Sequence, residues 1–146
     1  MIEKKYIPSN WSVLYVSLLN DWLSLEDVIS ILNDRFEDIG CDEETLVDIN
    51  VNESNRQYVL EILKTKSKLS EEEALKQLQL ASLLSIRESS IPLNEKLEEI
   101  SATWSRFNYP EDWRPFIHYM PNEHASSEEE VYKLFTDYIT ENTVWD

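Results

Sequence analysis

S-E-E-E-A-L-K-Q-L-Q-L-A-S-L-L-S-I-R-E-S, Ser70 to Ser89, is the stretch whose reading decides the fold class. Ser70 with Glu73 three residues on forms a capping box, and Glu71, Glu72 and Glu73 place acids where a helix dipole favours them. Leu75, Leu78, Leu80, Leu83, Leu84 and Ile86 then surround much of the cylinder. The spacing predicts a helix to about Ser89, buried on most sides and central to the fold.

Helical signals continue on both sides of it. Upstream, Tyr58, Val59, Ile62 and Leu63 share one side of a helix, and Lys64, Lys66 and Lys68 read as a solvated link after it. From Cys41 to Asn55 the pattern is divided. Asp42-Glu43-Glu44 suits the start of a short helix through Leu46 and Val47, whereas Ile49 and Val51 alternating with Asp48, Asn50 and Asn52 suits an extended stretch. Before that, Ser24 and Asp27 open a helix with Leu25, Val28, Ile29, Leu32, Phe36 and Ile39 on its apolar stripe, and Gly40 sits where a C′ glycine would end it. Asp27, Asp34 and Asp38 fall together on the opposite face. The earliest helix is predicted over Trp11 to Leu23 behind an Asn10 cap, apolar on more than one side and therefore deeply packed.

Downstream, Pro92 lies near the first position of another helix. Its Leu93, Leu97, Ile100, Trp104 and Phe107 recur at intervals of four and three, a seam against a partner helix. Tyr109 to Glu123, Y-P-E-D-W-R-P-F-I-H-Y-M-P-N-E, holds Pro110, Pro115 and Pro121, so no regular element runs through it unbroken. Its aromatics (Tyr109, Trp113, Phe116, Tyr119) need a helical surface to cover. Ser127-Glu128-Glu129-Glu130 repeats the capping box, and Val131, Leu134, Phe135, Tyr138 and Ile139 form the buried face of a last helix. The fold expected is all-α: a single compact domain of six or seven helices over residues 1–146, with a proline- and aromatic-rich connection before the last helix.

Composition narrows the function. The chain has 146 residues, 42% of them hydrophobic, enough for a core without staples. A single glycine counts against tight hairpins, phosphate-cradling loops and nucleophile elbows. A single cysteine, Cys41, excludes an internal disulfide and a cysteine zinc cluster, and fits a reducing compartment. Lys4 and Lys5 precede an apolar run, but Ser12 and Ser17 interrupt it and no small-residue cleavage site follows. No stretch approaches the ~20 apolar residues of a membrane span. The expectation is a soluble cytoplasmic protein.

The formal charge is −16 and unevenly placed. Residues 21–61 hold twelve acids against two bases, and residues 123–146 hold seven against one. Such a field repels nucleic acid and anionic membranes and steers basic partners, although an acidic surface also serves plain solubility.

No reaction centre emerges. Glu111-Asp112 is a carboxylate pair, but after Pro110 both residues suit a helix's first turn, where adjacent side chains diverge. His118, Glu123 and His124 match no ligand spacing. Cys41 has no basic neighbour in sequence to make a thiolate. Of five tryptophans, Trp145 in the acidic tail either folds back or anchors a partner. No catalytic residue, metal site or cofactor is expected.

N-W-S-V-L-Y-V-S-L-L-N-D-W-L-S-L-E-D-V at 10–28, the leucine-rich central helix, F-N-Y-P-E-D-W-R-P-F-I-H-Y-M-P at 107–121 and the closing capped helix together resemble a family of small bacterial α-helical proteins catalogued as a domain of unknown function. Tyr109-Pro110-Glu111 with Tyr119-Met120-Pro121 is the most specific part. The resemblance implies an immunity protein (antitoxin) of a polymorphic toxin system, including toxins with an LXG-type N-terminal domain. Its partner would be the toxic C-terminal domain of a cognate toxin, a basic nuclease domain by expectation, blocked by steric occlusion. Electrostatic complementarity would place the contact on Asp27, Asp34 and Asp38 with Asp42, Glu43 and Glu44, and secondarily on Glu128, Glu129, Asp137 and Trp145. The competing readings are a non-catalytic cytoplasmic adaptor for a basic protein and an enzyme with an unrecognised site. Oligomeric state is left open.

Overall fold

Caps written into the sequence set most of the helix boundaries. The computed structural model describes residues 4–117 and 127–142, and every regular element among them is helical. These are α1 (Trp11–Leu19), α2 (Leu25–Ile39), α3 (Glu43–Val51), α4 (Arg56–Lys66), α5 (Glu71–Glu88), α6 (Leu93–Arg106) and α7 (Glu128–Asn142), with 3-10 helices at Lys4–Tyr6 and Glu111–Phe116. The all-α class read from the sequence is the class observed. Asn10, Ser24, Asp42 and Asn55 each accept a hydrogen bond from the backbone N–H three residues on, at 2.9, 3.1, 2.7 and 3.1 Å. Ser70 and Ser127 do the same at 3.1 and 3.2 Å. Each cap satisfies a donor that the helix itself leaves orphaned.

The chain clusters into two compact units, Met1–Leu78 and Gln79–Asp146, with the boundary inside α5. In the first unit α1 packs against α4 and α2, and α2 against α3. Val13, Leu14 and Leu18 of α1 are buried with Val28, Ile31 and Leu32 of α2 and Val59 and Leu63 of α4. Ser12, also buried, does more than tolerate this environment. Its Oγ accepts from the backbone N–H groups of Lys68 and Leu69 at 3.0 and 2.9 Å and is hydrogen-bonded to the Ser67 hydroxyl at 2.8 Å. One hydroxyl thus satisfies the backbone of the α4–α5 link, whose N–H groups would otherwise need another partner.

Several boundaries differ from the sequence reading. α1 stops at Leu19, because Asp21 adopts φ +59° and the chain folds back. Trp22 and Leu23 then donate to the Ser17 carbonyl at 2.9 and 3.2 Å. Leu23 still reaches the core, from a turn instead of a helix. The Arg56 guanidinium donates to the Leu18 carbonyl at 2.7 Å, a cation at the C-terminal end of α1 where the dipole favours one. Lys64 and Lys66 lie in the last turn of α4 by the same logic, not in the link. The buried side of α4 is Val59, Leu60 and Leu63, while Tyr58 is exposed.

In the second unit α6 packs on α7, and the 3-10 helix Glu111–Phe116 packs on α7 as well. Trp113 and Phe116 are fully buried. Phe116 meets Phe135 and Tyr138 of α7 at centroid separations of 5.7 and 5.1 Å, and Trp113 meets Phe107 at 6.0 Å. The proline-punctuated connection therefore covers a helical surface, as its aromatics require, over the part that is described. Tyr109 is the exception and stands exposed at φ +59° after Asn108 at +63°. That turn is held by Trp104, whose indole N–H donates to the Pro110 carbonyl at 2.9 Å and whose ring meets Tyr109 edge-on at 4.9 Å.

Candidate functional site

The junction between α2 and α3 concentrates the acids singled out in the sequence. α2 ends in a Schellman motif: Gly40 N–H donates to the Glu37 carbonyl at 3.2 Å and Cys41 N–H to the Phe36 carbonyl at 2.8 Å. Gly40 takes φ +83°, and a Cβ there would meet nothing within 4 Å, so the requirement for glycine is conformational and not steric. The turn delivers Asp42 to the N-cap of α3. Its carboxylate accepts from Thr45 N–H, which holds its pKa below the ordinary aspartate value, and Lys66 adds to the effect from a distance.

Asp42, Glu43 and Glu44 are exposed and line one shallow depression together with Val47. Asp34 and Asp38 are exposed on the C-terminal half of α2. Asp27 stands apart from them. It is half-buried where they are exposed, and α2 breaks its helical geometry at Arg35 (φ −129°, ψ 27°), between Asp34 and Asp38. The break accompanies a tertiary contact in which the Arg35 guanidinium donates to the Ile7 carbonyl at 2.7 Å. Asp27 and Asp34 precede the break and Asp38 follows it. Phe36, next to the break, is 36% exposed instead of joining the apolar stripe.

The second set of acids lies on α7. Glu128, Glu129 and Asp137 are exposed, and Asp137 accepts from Lys133 at 3.3 Å. Trp145 lies outside the described residues.

Two features of the first unit escaped the sequence reading. The short helix expected through Leu46 and Val47 forms but runs on to Val51 in place of the extended alternative, and it buries only Ile49, with Val47 and Val51 55% and 76% exposed. A helical wheel over 43–51, at 100° per residue, puts Glu43, Glu44, Val47 and Val51 on one side and Ile49 on the other. That was the available signal. Beside this face, α3 and α4 border a groove of about 320 Å³ lined by Thr45, Asp48, Tyr58, Glu61 and Ile62 among others. Across it the Tyr58 hydroxyl donates to both Asp48 oxygens, at 2.7 and 3.0 Å, and this bond raises the tyrosine's pKa.

Glu111 pairs with Arg114 at 3.3 Å, and Asp112 accepts from the Tyr138 hydroxyl. Cys41 is buried, and desolvation, with Asp42 adding to it, pushes its thiol pKa up, away from a reactive thiolate. Among the described residues no group of three or more histidine, cysteine, aspartate or glutamate side chains is placed to hold a metal ion. His118, Glu123 and His124 lie outside the described residues. No described helix is long and apolar enough to cross a membrane.

Compared with known proteins, residues 1–143 match the model of a family described as an uncharacterized protein conserved in bacteria, DUF2247. No curated protein and no solved structure matches the chain.

Proposed function

The chain belongs to the DUF2247 family, and we propose that it is a non-catalytic binding protein that docks a basic protein partner with the acidic surface at the α2–α3 junction. The observation that carries this reading is the gathering of Asp42, Glu43 and Glu44, all exposed, around one depression, with exposed Asp34 and Asp38 on the preceding helix. An acidic surface of this kind accelerates encounter with a cationic surface and discriminates against anionic ones.

Within that class, the reading favoured here is an immunity protein. It would bind the toxic C-terminal domain of a cognate secreted bacterial toxin, a basic nuclease domain, inside the producing cell and block it by occlusion. The support is the resemblance of residues 10–28 and 107–121 described above, together with the acidic surface that a nucleic-acid-binding domain would complement. The adaptor reading shares the same surface and differs only in the partner.

The test is neutralisation. The C-terminal domain of a toxin encoded beside this gene is expressed in a test bacterium with and without this protein. Restored growth with co-purification of the two proteins supports the immunity reading. Arrested growth with both proteins soluble removes it and leaves the adaptor reading, to be pursued by capture of basic proteins from the native cytoplasm.

A further inference from the structure

α3 is a helix with two apolar sides, and only one of them is used by the fold. Ile49 faces the core, and α3 is held at its flanks by polar links. Asn50 and Asn33 exchange reciprocal amide hydrogen bonds at 2.9 and 3.0 Å, and Asp48 accepts from Tyr58 of α4. The outward side carries Val47 and Val51, one turn apart, with Glu43 and Glu44 at its N-terminal end. Isolated exposed apolar residues are ordinary, but two valines in the i, i+4 row of a helix that buries a single side chain are a contiguous apolar ridge. Valine also has lower helix propensity than the alanine, glutamate or lysine that would serve a merely solvated face, so nothing local favours it there.

We propose that the outward face of α3 is the specific contact within the acidic surface, and that its occupant is a cationic amphipathic helix of the partner. This rests on the basic-partner reading above and deepens it. An apolar row on the partner packs on Val47 and Val51, because residues one turn apart on two helices interlock as ridges and grooves. Basic side chains flanking that row meet Glu43 and Glu44 at one end. On the flank towards α4 they meet Asp48 and Glu61, which line the α3–α4 groove. A second copy of this chain is a poor occupant, since it would set one acidic surface against another in a molecule of net charge −16. Electrostatics alone would bind any cation; the valines make the site selective for one that is also apolar on one side.

The experiment uses two synthetic peptides of about fourteen residues, roughly four helical turns. Both contain leucine and lysine in the same proportions. One has its leucines on a single helical face, and the other has them dispersed. Binding to the full chain is measured by calorimetry near physiological ionic strength, and the mass of the free protein by sedimentation. The expected result is at least about tenfold tighter binding of the amphipathic peptide. That preference should be lost in the Val47→Ala/Val51→Ala double variant, while Glu43→Gln/Glu44→Gln weakens both peptides. Equal binding of the two peptides overturns the α3 inference and leaves the basic-partner reading standing. No binding of either peptide, even at low salt, overturns both. A dimer of the free chain that dissociates on Val51→Ala overturns it in favour of a second copy as occupant.

Discussion

α1 and α3 are each nine residues long, lie in the same unit, and are used in opposite ways. Seven of nine residues in α1 are buried, and even its serines point inward. In α3 only Ile49 is buried, and valines point outward. α1 has traded solubility for packing, so a polar atom on it either finds a partner inside the protein, as the Ser12 hydroxyl does, or is buried without one, as the Ser17 hydroxyl is among the described residues. α3 is tied down by side-chain hydrogen bonds at its edges and presents the rest of its surface. The difference makes α3 the element on which the proposed partner contact is to be sought, because its outward side chains are not used by the fold.

Substitutions can break this comparison or sharpen it. Leu14→Ala in α1 is expected to cost most, about 2–5 kcal/mol in chemical denaturation, since Leu14 has no exposed surface and leaves a cavity. A loss below about 1 kcal/mol would mean that α1 is not the packing centre of its unit.

The two serines of α1 sharpen the contrast within one helix. Ser12→Ala strips the hydrogen-bond acceptor from Lys68 and Leu69 N–H and is expected to cost about 2 kcal/mol. Ser17 is equally buried, but its hydroxyl has no hydrogen-bond partner among the described residues. Ser17→Ala is therefore expected to be neutral or slightly stabilising. Equal losses at the two positions would show that burial, not hydrogen bonding, sets the cost.

The smallest effect belongs to α3. Val47→Ala with Val51→Ala should leave stability within about 0.5 kcal/mol of the parent, because both side chains are exposed and alanine favours the helix. A large destabilisation would mean that these valines serve the fold after all.

Much of this architecture is legible in the residues. The caps at Asn10, Ser24, Ser70 and Ser127 are local chemistry, so sequence spacing finds them. Gly40 ends α2 for the same reason. What is not legible depends on tertiary contacts. α1 stops short of Leu23 because the chain turns back to the Ser17 carbonyl, and Leu23 is buried from a turn that has no helical period. α2 breaks at Arg35, where the guanidinium reaches Ile7, 28 residues away, and Phe36 leaves the apolar stripe. In α3, Ile49 and Val51 separated by a polar residue fit a strand as well as a helix. The acids at 42–44 can be singled out by charge, whereas the valines separate from Ile49 only once residues 43–51 are taken as one helix, and the alternation at 48–52 leaves that choice open.

If the α2–α3 surface serves a partner and not the fold, as proposed, reversing its charge costs binding and leaves folding intact. The most direct test reverses Asp34, Asp38, Glu43 and Glu44 to lysine and leaves Asp42 in place, since Asp42 caps α3. Circular dichroism and partner affinity are then measured on the same preparation. The account predicts a native helical spectrum with affinity for the basic partner reduced by at least about a hundredfold, the scale of a few charge pairs lost and reversed. Unchanged affinity with a native spectrum would take this face out of the interface and contradict the account.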